Sequence, residues 1–469
     1  MARSADKTTR KARASRHSEA GRTTRASKPK RRGKTEPAYF LSLNVENVRC
    51  FGPRQTLDLS DSTGRPARWT VLIGDNGTGK TTLLECLEAI QPEVQQFHEG
   101  EAPMTAAGLL FDRWSGLQRA REARNRVAAS FAVGTELTDA ASSEDQFELY
   151  HELVAMNSRR TGLVNRTLRL FEAACYGYGA HRRPAPTALS DDEAREDSAT
   201  IFSDSGDLRS AEEWLLRADY AAKRAKKSTK LAQRRDQIRN ALVDILPEVT
   251  DVRITQPSDA AGGARAEFKT PYGWVPTRGL GLGYRTMIAW MVDFASRLFE
   301  RYPRKRNPLA EPAVVLVDEI DLHLHPKWQR TLMGYLSERF PNTQFIVTAH
   351  SPLVVQAAAD ANIVVLRREG DHVVIDNDPT VVREWRLDQL LTSDLFGLDS
   401  ARAPEVADLL ARRAALLGKA RLTAADTSKL AEIEKQIGQL PTGETPEQIE
   451  AMDIIRRAAR RLKKEGKTG

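Results

Sequence analysis

The chain has 469 residues, a net charge of +8 and three cysteines. Its length allows one large domain or two ordinary domains, each with a substantial core. No run approaches the roughly 18 consecutive apolar residues of a membrane span, and no apolar stretch near the N-terminus predicts a secretory signal. An odd number of widely separated cysteines argues against a disulfide or zinc framework. These features predict a cytoplasmic protein with no membrane partner.

Residues 1–38 predict a disordered basic tail. The first 36 residues contain thirteen Lys or Arg and three acidic residues, a net charge of +10, so the rest of the chain sums to about −2. Ser, Thr, Arg and Lys dominate this stretch and large apolar residues are almost absent, which is typical of disorder. Two interpretations stay open, a non-specific nucleic-acid arm and a solubilising tail.

Residues 39–95 predict the first part of a nucleotide-binding core. The alternating segment 40–51 and the apolar segment 69–73 are both typical of strands. A glycine-rich turn follows the second segment. The apolar residues after the turn recur at helical spacing, so a helix is expected to begin near Lys80.

The turn has the spacing of a phosphate-binding loop, Gly-x-x-x-x-Gly-Lys-Thr, over residues 74–81. Its glycines allow a tight curl that aims backbone N–H groups at a phosphate, and the following helix adds its positive dipole end. The Lys80 ammonium can neutralise phosphate oxygens, and the Thr81 hydroxyl can ligate Mg²⁺. We therefore predict a site for ATP or GTP with Mg²⁺. Its residues are Gly74, Asp75, Asn76, Gly77, Thr78, Gly79, Lys80, Thr81 and Thr82.

Residues 96–249 predict a mostly helical insert that splits the core. The stretches 108–129 and 211–246 carry apolar residues at helical spacing. Residues 185–208 are rich in Pro, Ser, Asp, Thr and Gly, which is typical of a loop. Sustained heptads are absent, so long coiled-coil arms are not expected.

The sequence pattern of residues 250–398 predicts the second part of the core. A second glycine-rich turn in this part precedes an apolar helix. Such a turn is typical of an anion-binding helix N-terminus. Gly281, Gly283 and Arg285 are the candidate phosphate contacts. A plain loop at the start of a helix is the alternative interpretation.

Two further strands in this part end in polar residues. The apolar run 313–317 precedes two carboxylates, which is typical of a buried parallel strand whose C-terminal end reaches a site. Asp318 would hold Mg²⁺, and Glu319 would polarise the attacking water. The next apolar run, 344–348, precedes His350, which would sense the γ-phosphate.

The spacing of apolar residues over 399–469 predicts a C-terminal helical segment. It consists of a helical hairpin over 404–439 and a last helix over 446–464. The whole pattern predicts an α/β P-loop NTPase. Its core would be a mostly parallel sheet with helices on both faces.

The order of these motifs resembles the ABC-type ATPases of the SMC, RecF and OLD-like group. The Asp-Glu-x-Asp-Leu-His-Leu-His-Pro loop at 318–326 is quite specific to this group, and Thr-Ala-His-Ser-Pro at 348–352 resembles its switch segment. The resemblance implies an SMC-head type of fold and ATP hydrolysis by Asp318, Glu319 and His350. It also implies a head-to-head dimer or higher homo-oligomer. This chain departs from the group's Leu-Ser-x-Gly signature because Gly281 stands where a serine is expected.

Within that group, the segments 175–183, 210–216 and 389–398 resemble the ATPase subunit of the Septu anti-phage system and its retron-linked relatives. The resemblance implies that ATP controls a separate effector, such as an HNH nuclease, in anti-phage defence. A RecF-like repair or replication ATPase that acts directly on DNA is the alternative. Nucleic acid is a candidate partner under both hypotheses.

Overall fold

The computed structural model describes most of the chain between residues 36 and 437. The described ranges are 36–90, 124–134, 136–137, 146–154, 158–164, 171–184, 207–224, 229–246, 248–255, 264–358, 360–378, 386–392, 403–417 and 423–437, with residues 201, 396, 398 and 419. The predicted last helix at 446–464 lies outside these residues, as does the predicted tail up to residue 35. Residues 36–38, which were assigned to the tail, belong to the first strand.

The described residues form strands in both halves of the chain and helices mainly after residue 200. The strands are β1 Glu36–Glu46, β2 Gln55–Asp58, β3 Trp69–Gly74, β4 Arg124–Val133, β5 Gln146–Val154, β6 Ser158–Val164, β7 Phe171–Glu172, β8 Cys175–Tyr178, β9 Arg183–Pro184, β10 Asp207–Leu208, β11 Asp251–Ile254, β12 Ala266–Thr270, β13 Gly273–Pro276, β14 Ala313–Val317, β15 Thr343–Thr348, β16 Asn362–Glu369 and β17 His372–Asp376. The helices are α1 Lys80–Ile90, α2 Ala211–Arg224, α3 Thr229–Ile245, α4 Leu282–Arg301, α5 Pro326–Arg339, α6 Pro352–Ala357, α7 Leu387–Leu391, α8 Pro404–Leu417 and α9 Ala424–Ile437. Among the described residues, none of these helices combines the length and apolar character needed to cross a membrane.

The core sheet has the strand order β17-β16-β3-β15-β14-β8. Its neighbours are parallel except for the β16–β17 hairpin, which forms one edge. This arrangement confirms the predicted α/β fold with a mostly parallel sheet. Because parallel strands all point the same way, the segments that follow β3, β14 and β15 meet at one edge of the sheet.

Both faces of the core sheet are covered, which explains the continuous apolar runs. In β14, Val315 and Val317 face a cluster that includes residues of α3, α4 and α5. Val314 and Leu316 face a second cluster, which includes residues of α1, β1 and β4. All of β14 is buried, and each such side chain contributes about 1.5–3 kcal/mol by leaving water.

The second sheet is antiparallel, with the order β2-β1-β4-β5-β6, and β7 pairs with the end of β1. The helix expected over residues 108–129 is therefore wrong for 124–129, and residues 108–123 lie outside the described residues. Val127, Ala129 and Phe131 alternate toward the core, which is the period of a strand. The insert is thus mainly β in the first half that the structure describes, and α2 and α3 follow in its second half.

Gln344, a fully buried residue of β15, joins the two sheets. Its side-chain amide accepts a hydrogen bond from Phe40 N at 2.9 Å and donates to Phe40 O at 2.8 Å. The pairing of β1 with β4 shifts register directly after Phe40, between Phe40 and Ser42, so the Gln344 amide holds β1 beside this irregularity.

We expect Gln344→Leu to lower the free energy of unfolding by about 2–5 kcal/mol, because it leaves the N–H and C=O groups of Phe40 buried without partners. Urea unfolding measures this loss. The matched control is Thr70→Val, since the Thr70 hydroxyl is buried and has no hydrogen-bond partner among the described residues. Equal stability of the two variants would contradict the bridging role of Gln344.

Candidate nucleotide-binding site

The segments that follow β3, β14 and β15 enclose a cleft of about 320 Å³ at the carboxyl edge of the core sheet. The residues that line it are Arg49, Cys50, Asn76, Gly77, Gly79, Lys80, Thr81, Thr82, Asp318, Glu319 and His350. The fold thus brings the phosphate-binding loop, the two carboxylates and His350 to one place. Thr81 and Asp318, which are 237 positions apart, are in direct contact.

The phosphate-binding loop holds its own lysine over its backbone. Lys80 Nζ donates hydrogen bonds to Gly74 O at 2.8 Å and to Asp75 O at 2.9 Å. Thr78 Oγ1 closes the turn by donating to Asp75 O at 2.8 Å. Burial lowers the pKa of Lys80, and the nearby carboxylates, Asp318 first among them, oppose that effect. Phosphate oxygens would replace the two carbonyls as acceptors.

Gly79 is required by the close packing of this loop. Its φ is +84°, a left-handed conformation that favours glycine. A Cβ atom at this position would lie 2.4 Å from Cys50 Sγ and 2.9 Å from Phe51 Cε2. The loop therefore packs directly on the turn that follows β1.

The Asp318 carboxylate links three segments of the site. Thr81 Oγ1 donates to Asp318 Oδ2 at 2.7 Å, and Thr348 Oγ1 donates to Asp318 Oδ1 at 2.6 Å. Asp318 is only 5% exposed, so these bonds satisfy a carboxylate that water barely reaches. A hydroxyl and a carboxylate oxygen side by side at the end of the loop are the hard oxygen donors that Mg²⁺ prefers.

Glu319 and His350 border the cleft on the side of β14 and β15. Glu319 has a φ of +49°, which is unusual for a residue other than glycine. Its N–H donates to Thr348 Oγ1 at 2.7 Å. His350 is exposed, and its N–H donates to Asp321 Oδ2 at 3.1 Å. Both side chains can therefore approach a group bound in the cleft.

Sequence reasoning missed Arg49, which also lines the cleft. The strand expected over 40–51 ends at Glu46, and a tight turn follows in which Asn47 and Arg49 have positive φ values. Arg49 Nη1 donates to Thr82 Oγ1 at 3.2 Å and to Glu85 Oε2 at 2.5 Å. An asparagine at a strand end was the available signal for this turn, because asparagine tolerates left-handed backbone.

The glycine-rich turn at 279–283 lies apart from the cleft of its own chain, and Gly281, Gly283 and Arg285 are not among the residues that line it. Gly281 caps α4 without a side-chain hydrogen bond, and the next residue, Leu282, is 46% exposed. A Cβ at Gly283 would lie 2.4 Å from His323 O, so the turn packs against the 321–325 loop. The first turn of α4 therefore faces outward.

We expect Gly283→Ala to lower the melting temperature, because the added methyl clashes with the backbone at His323 and costs about 1–3 kcal/mol. Gly281→Ala is the matched control, since the nearest atom to its added methyl is Tyr284 Cδ2 at 4.0 Å. Differential scanning fluorimetry compares the two variants. Equal melting temperatures would show that the turn does not pack on the loop as described.

Two family models match the chain. Residues 171–356 match the model described as "AAA domain, putative AbiEii toxin, Type IV TA system", and residues 42–90 match the model described as "AAA domain". The second range holds the phosphate-binding loop. The first holds Asp318, Glu319 and His350.

Proteins with similar sequences include ATPases named for retrons and proteins named for Septu. The chain is 47% identical over 87 residues to "Retron Vc95 probable ATPase" of Vibrio cholerae serotype O1 biovar El Tor, a match that covers 19% of this chain and 17% of that protein. It is 38% identical over 117 residues to "Septu protein PtuA" of Bacillus mycoides strain KBAB4, which covers 25% of this chain and 16% of that protein. The chain thus spans less than a fifth of the length of either relative.

Among solved structures, the SMC head domain from Thermotoga maritima aligns with a TM-score of 0.40 at 14% identity, covering 72% of this chain and 98% of that one. Three observations point to a P-loop ATPase. They are the phosphate-binding motifs, the order of the core strands and the family-model matches. The chain has the motifs and the core sheet of a P-loop ATPase, and part of its sequence is related to the retron and Septu ATPases.

Proposed function

We propose that this protein binds and hydrolyses ATP, and that ATP-dependent pairing of two copies controls a separate effector in anti-phage defence. The observation that carries the proposal is the contact between Thr81 Oγ1 and Asp318 Oδ2, at 2.7 Å, beside Lys80. This contact supports a Mg²⁺ site at the end of the phosphate-binding loop, because both atoms are oxygens suited to that ion.

The residues of the cleft divide the chemistry among themselves. The loop N–H groups and Lys80 bind and orient the phosphates. Thr81 and Asp318 would hold Mg²⁺, which when bound neutralises charge on the phosphate oxygens. Glu319 accepts a proton from the attacking water, and His350 contacts the γ-phosphate from the β15 side. Phosphoryl transfer requires mainly this positioning and charge neutralisation.

The pairing of two copies is supported by the position of the glycine-rich turn. The turn is exposed at Gly281 and Leu282 but does not reach the cleft of its own chain. Its N–H groups lie at an uncapped helix N-terminus, which suits an anion. In a head-to-head pair they would contact the γ-phosphate held by the other copy, with Arg285 in place of the missing serine hydroxyl.

The role in defence is supported by sequence relationship. The names of the two relatives connect them to a retron and to Septu. The segments that resemble the Septu ATPase favour an HNH nuclease as the effector, encoded as a separate chain. The family-model matches include the ATPase motifs, so in this proposal the effector is the partner that ATP binding controls.

We expect Lys80→Ala to weaken ATP binding about 100-fold or more, since the ammonium makes charge-assisted contacts worth about 1.5–3 kcal/mol each. Equilibrium binding of a fluorescent ATP analogue measures the change. Lys305→Ala is the control, because Lys305 is an exposed lysine outside the cleft that pairs with Glu311. Unchanged affinity of Lys80→Ala would remove the site assignment.

We expect Glu319→Gln to keep its affinity for ATP and to lose at least about 100-fold in turnover, as expected for loss of a general base. With ATP and Mg²⁺ this variant should elute as a dimer or larger species in size-exclusion chromatography.

Phosphate release measured with and without duplex DNA separates the two candidate functions. Turnover that DNA strongly stimulates would favour the RecF-like alternative, and turnover that persists in Glu319→Gln would refute the role of Glu319.

A further inference from the structure

Arg182 lies in the turn between β8 and β9, beside the C-terminal end of β14. Its side chain is buried, with only 4% of the residue exposed. Nη1 donates to Asp318 O at 2.6 Å and to Gly179 O at 3.0 Å, and Nη2 donates to Glu319 O at 2.8 Å. The fork of this guanidinium therefore binds the backbone of both residues that carry the acidic side chains of the cleft.

The Asp318 carbonyl lies just beyond the point where the neighbouring strand stops pairing with β14. β8 pairs with β14 up to the register Val317↔Tyr178, and Asp318 N still donates to Tyr178 O at 2.8 Å. Beyond Tyr178 the chain turns away from the sheet. Arg182 donates to the Asp318 carbonyl at this point, and at Glu319 O it adds a second hydrogen bond to the one from Leu322 N at 3.1 Å.

The charge on Arg182 is kept in spite of its burial. Burial lowers the pKa of Arg182 to about 10, and the carboxylates of Asp318, Glu319 and Asp321 oppose that effect. The guanidinium is therefore protonated at neutral pH. A buried cation is costly unless it is paired, and the bonds of Nη1 and Nη2 to the turn and to the strand end supply that pairing, while Nε has no hydrogen-bond partner among the described residues.

The main effect of this arrangement falls on Glu319. Its φ of +49° is a strained conformation that persists only where the surroundings determine it. The peptide groups on its two sides are both held, because Glu319 N donates to Thr348 Oγ1 and Glu319 O accepts from Arg182. Thr348 O also accepts a hydrogen bond from Ile320 N at 3.0 Å, so Arg182 acts together with Thr348 to keep this φ and the direction of the Glu319 carboxylate.

The turn that carries Arg182 is itself anchored to the helix that follows the glycine-rich turn. Tyr178 Oη donates to Asp293 Oδ2 on α4 at 2.9 Å. Arg297 Nε donates to the same carboxylate at 2.7 Å. Arg182 is therefore held from the side of α4 while it holds the end of β14.

We propose that Arg182 is a positioning residue for ATP hydrolysis, which fixes the backbone of Asp318 and Glu319 so that the Glu319 carboxylate faces the cleft. This inference rests on the ATPase activity proposed above. Arg182 does not line the cleft and makes none of the loop contacts of Lys80, so it acts on turnover rather than on nucleotide affinity.

Steady-state kinetics and equilibrium binding of ATP test whether Arg182 affects turnover without affecting nucleotide affinity. Arg182→Gln is expected to lower kcat about 100-fold, the scale of a displacement of about 1 Å in a catalytic group, and to leave the Kd for ATP within about threefold. Arg182→Lys, which can reach only one of the two carbonyls, should give an intermediate kcat and also keeps the test available if Arg182→Gln does not fold. Millimolar guanidinium should restore part of the turnover of Arg182→Ala.

Arg235→Ala is the matched control. Arg235 is a partly buried arginine of α3 that pairs with Asp219 and Asp236 and does not line the cleft. This variant should keep its turnover, and guanidinium should not increase it. Rescue that is equal in both variants, or a loss of ATP affinity that matches the loss of kcat in Arg182→Gln, would overturn the positioning role.

Hydrogen–deuterium exchange tests the same inference without turnover. Arg182→Gln should exchange faster at residues 317–322 and at the wild-type rate at residues 76–84. Unchanged exchange at 317–322, or a uniform increase along the chain, would refute a local role for Arg182. If the wild-type protein shows no turnover above the Glu319→Gln blank, the proposed ATPase activity fails, and the exchange result still decides what Arg182 positions.

Discussion

The site depends on one buried carboxylate. Asp318 sits at the end of β14 and accepts hydrogen bonds from Thr81 at the start of α1 and from Thr348 at the end of β15. A carboxylate with 5% exposure is stable only when its oxygens are paired, so these two hydroxyls hold three segments of the chain in register. The cleft for the nucleotide is the space that this arrangement leaves above the sheet.

Around this carboxylate, side chains also make hydrogen bonds to backbone groups. Thr348 and Arg182 fix the two peptide groups that flank Glu319, and a fully buried Gln344 fixes the antiparallel sheet to the core sheet. Each of these contacts is a hydrogen bond between a side chain and a backbone group. The strained φ of Glu319 is therefore maintained by its surroundings rather than by its own sequence.

Two further contacts connect the cleft to the glycine-rich turn before α4. Tyr178 ties the end of β8 to α4 through Asp293, and Gly283 at the start of α4 packs on the backbone at His323. The 321–325 loop follows Glu319 directly in the chain. A movement at the end of β14 would therefore reach the exposed N-terminus of α4 through packed atoms, which is the surface proposed for contact with a second copy.

Sequence alone determined the phosphate-binding loop, the strand ends that carry Asp318, Glu319 and His350, and the mostly parallel sheet, because each is encoded in contiguous residues with a fixed spacing. The first half of the insert was misassigned because short apolar residues such as Ala128 and Ala129 fit both helical and strand periods. Only the tertiary structure placed Arg49 at the cleft and Arg182 under β14. Those roles depend on which strand lies beside which and on where a neighbouring strand stops, and local spacing does not encode contacts between residues more than a hundred positions apart.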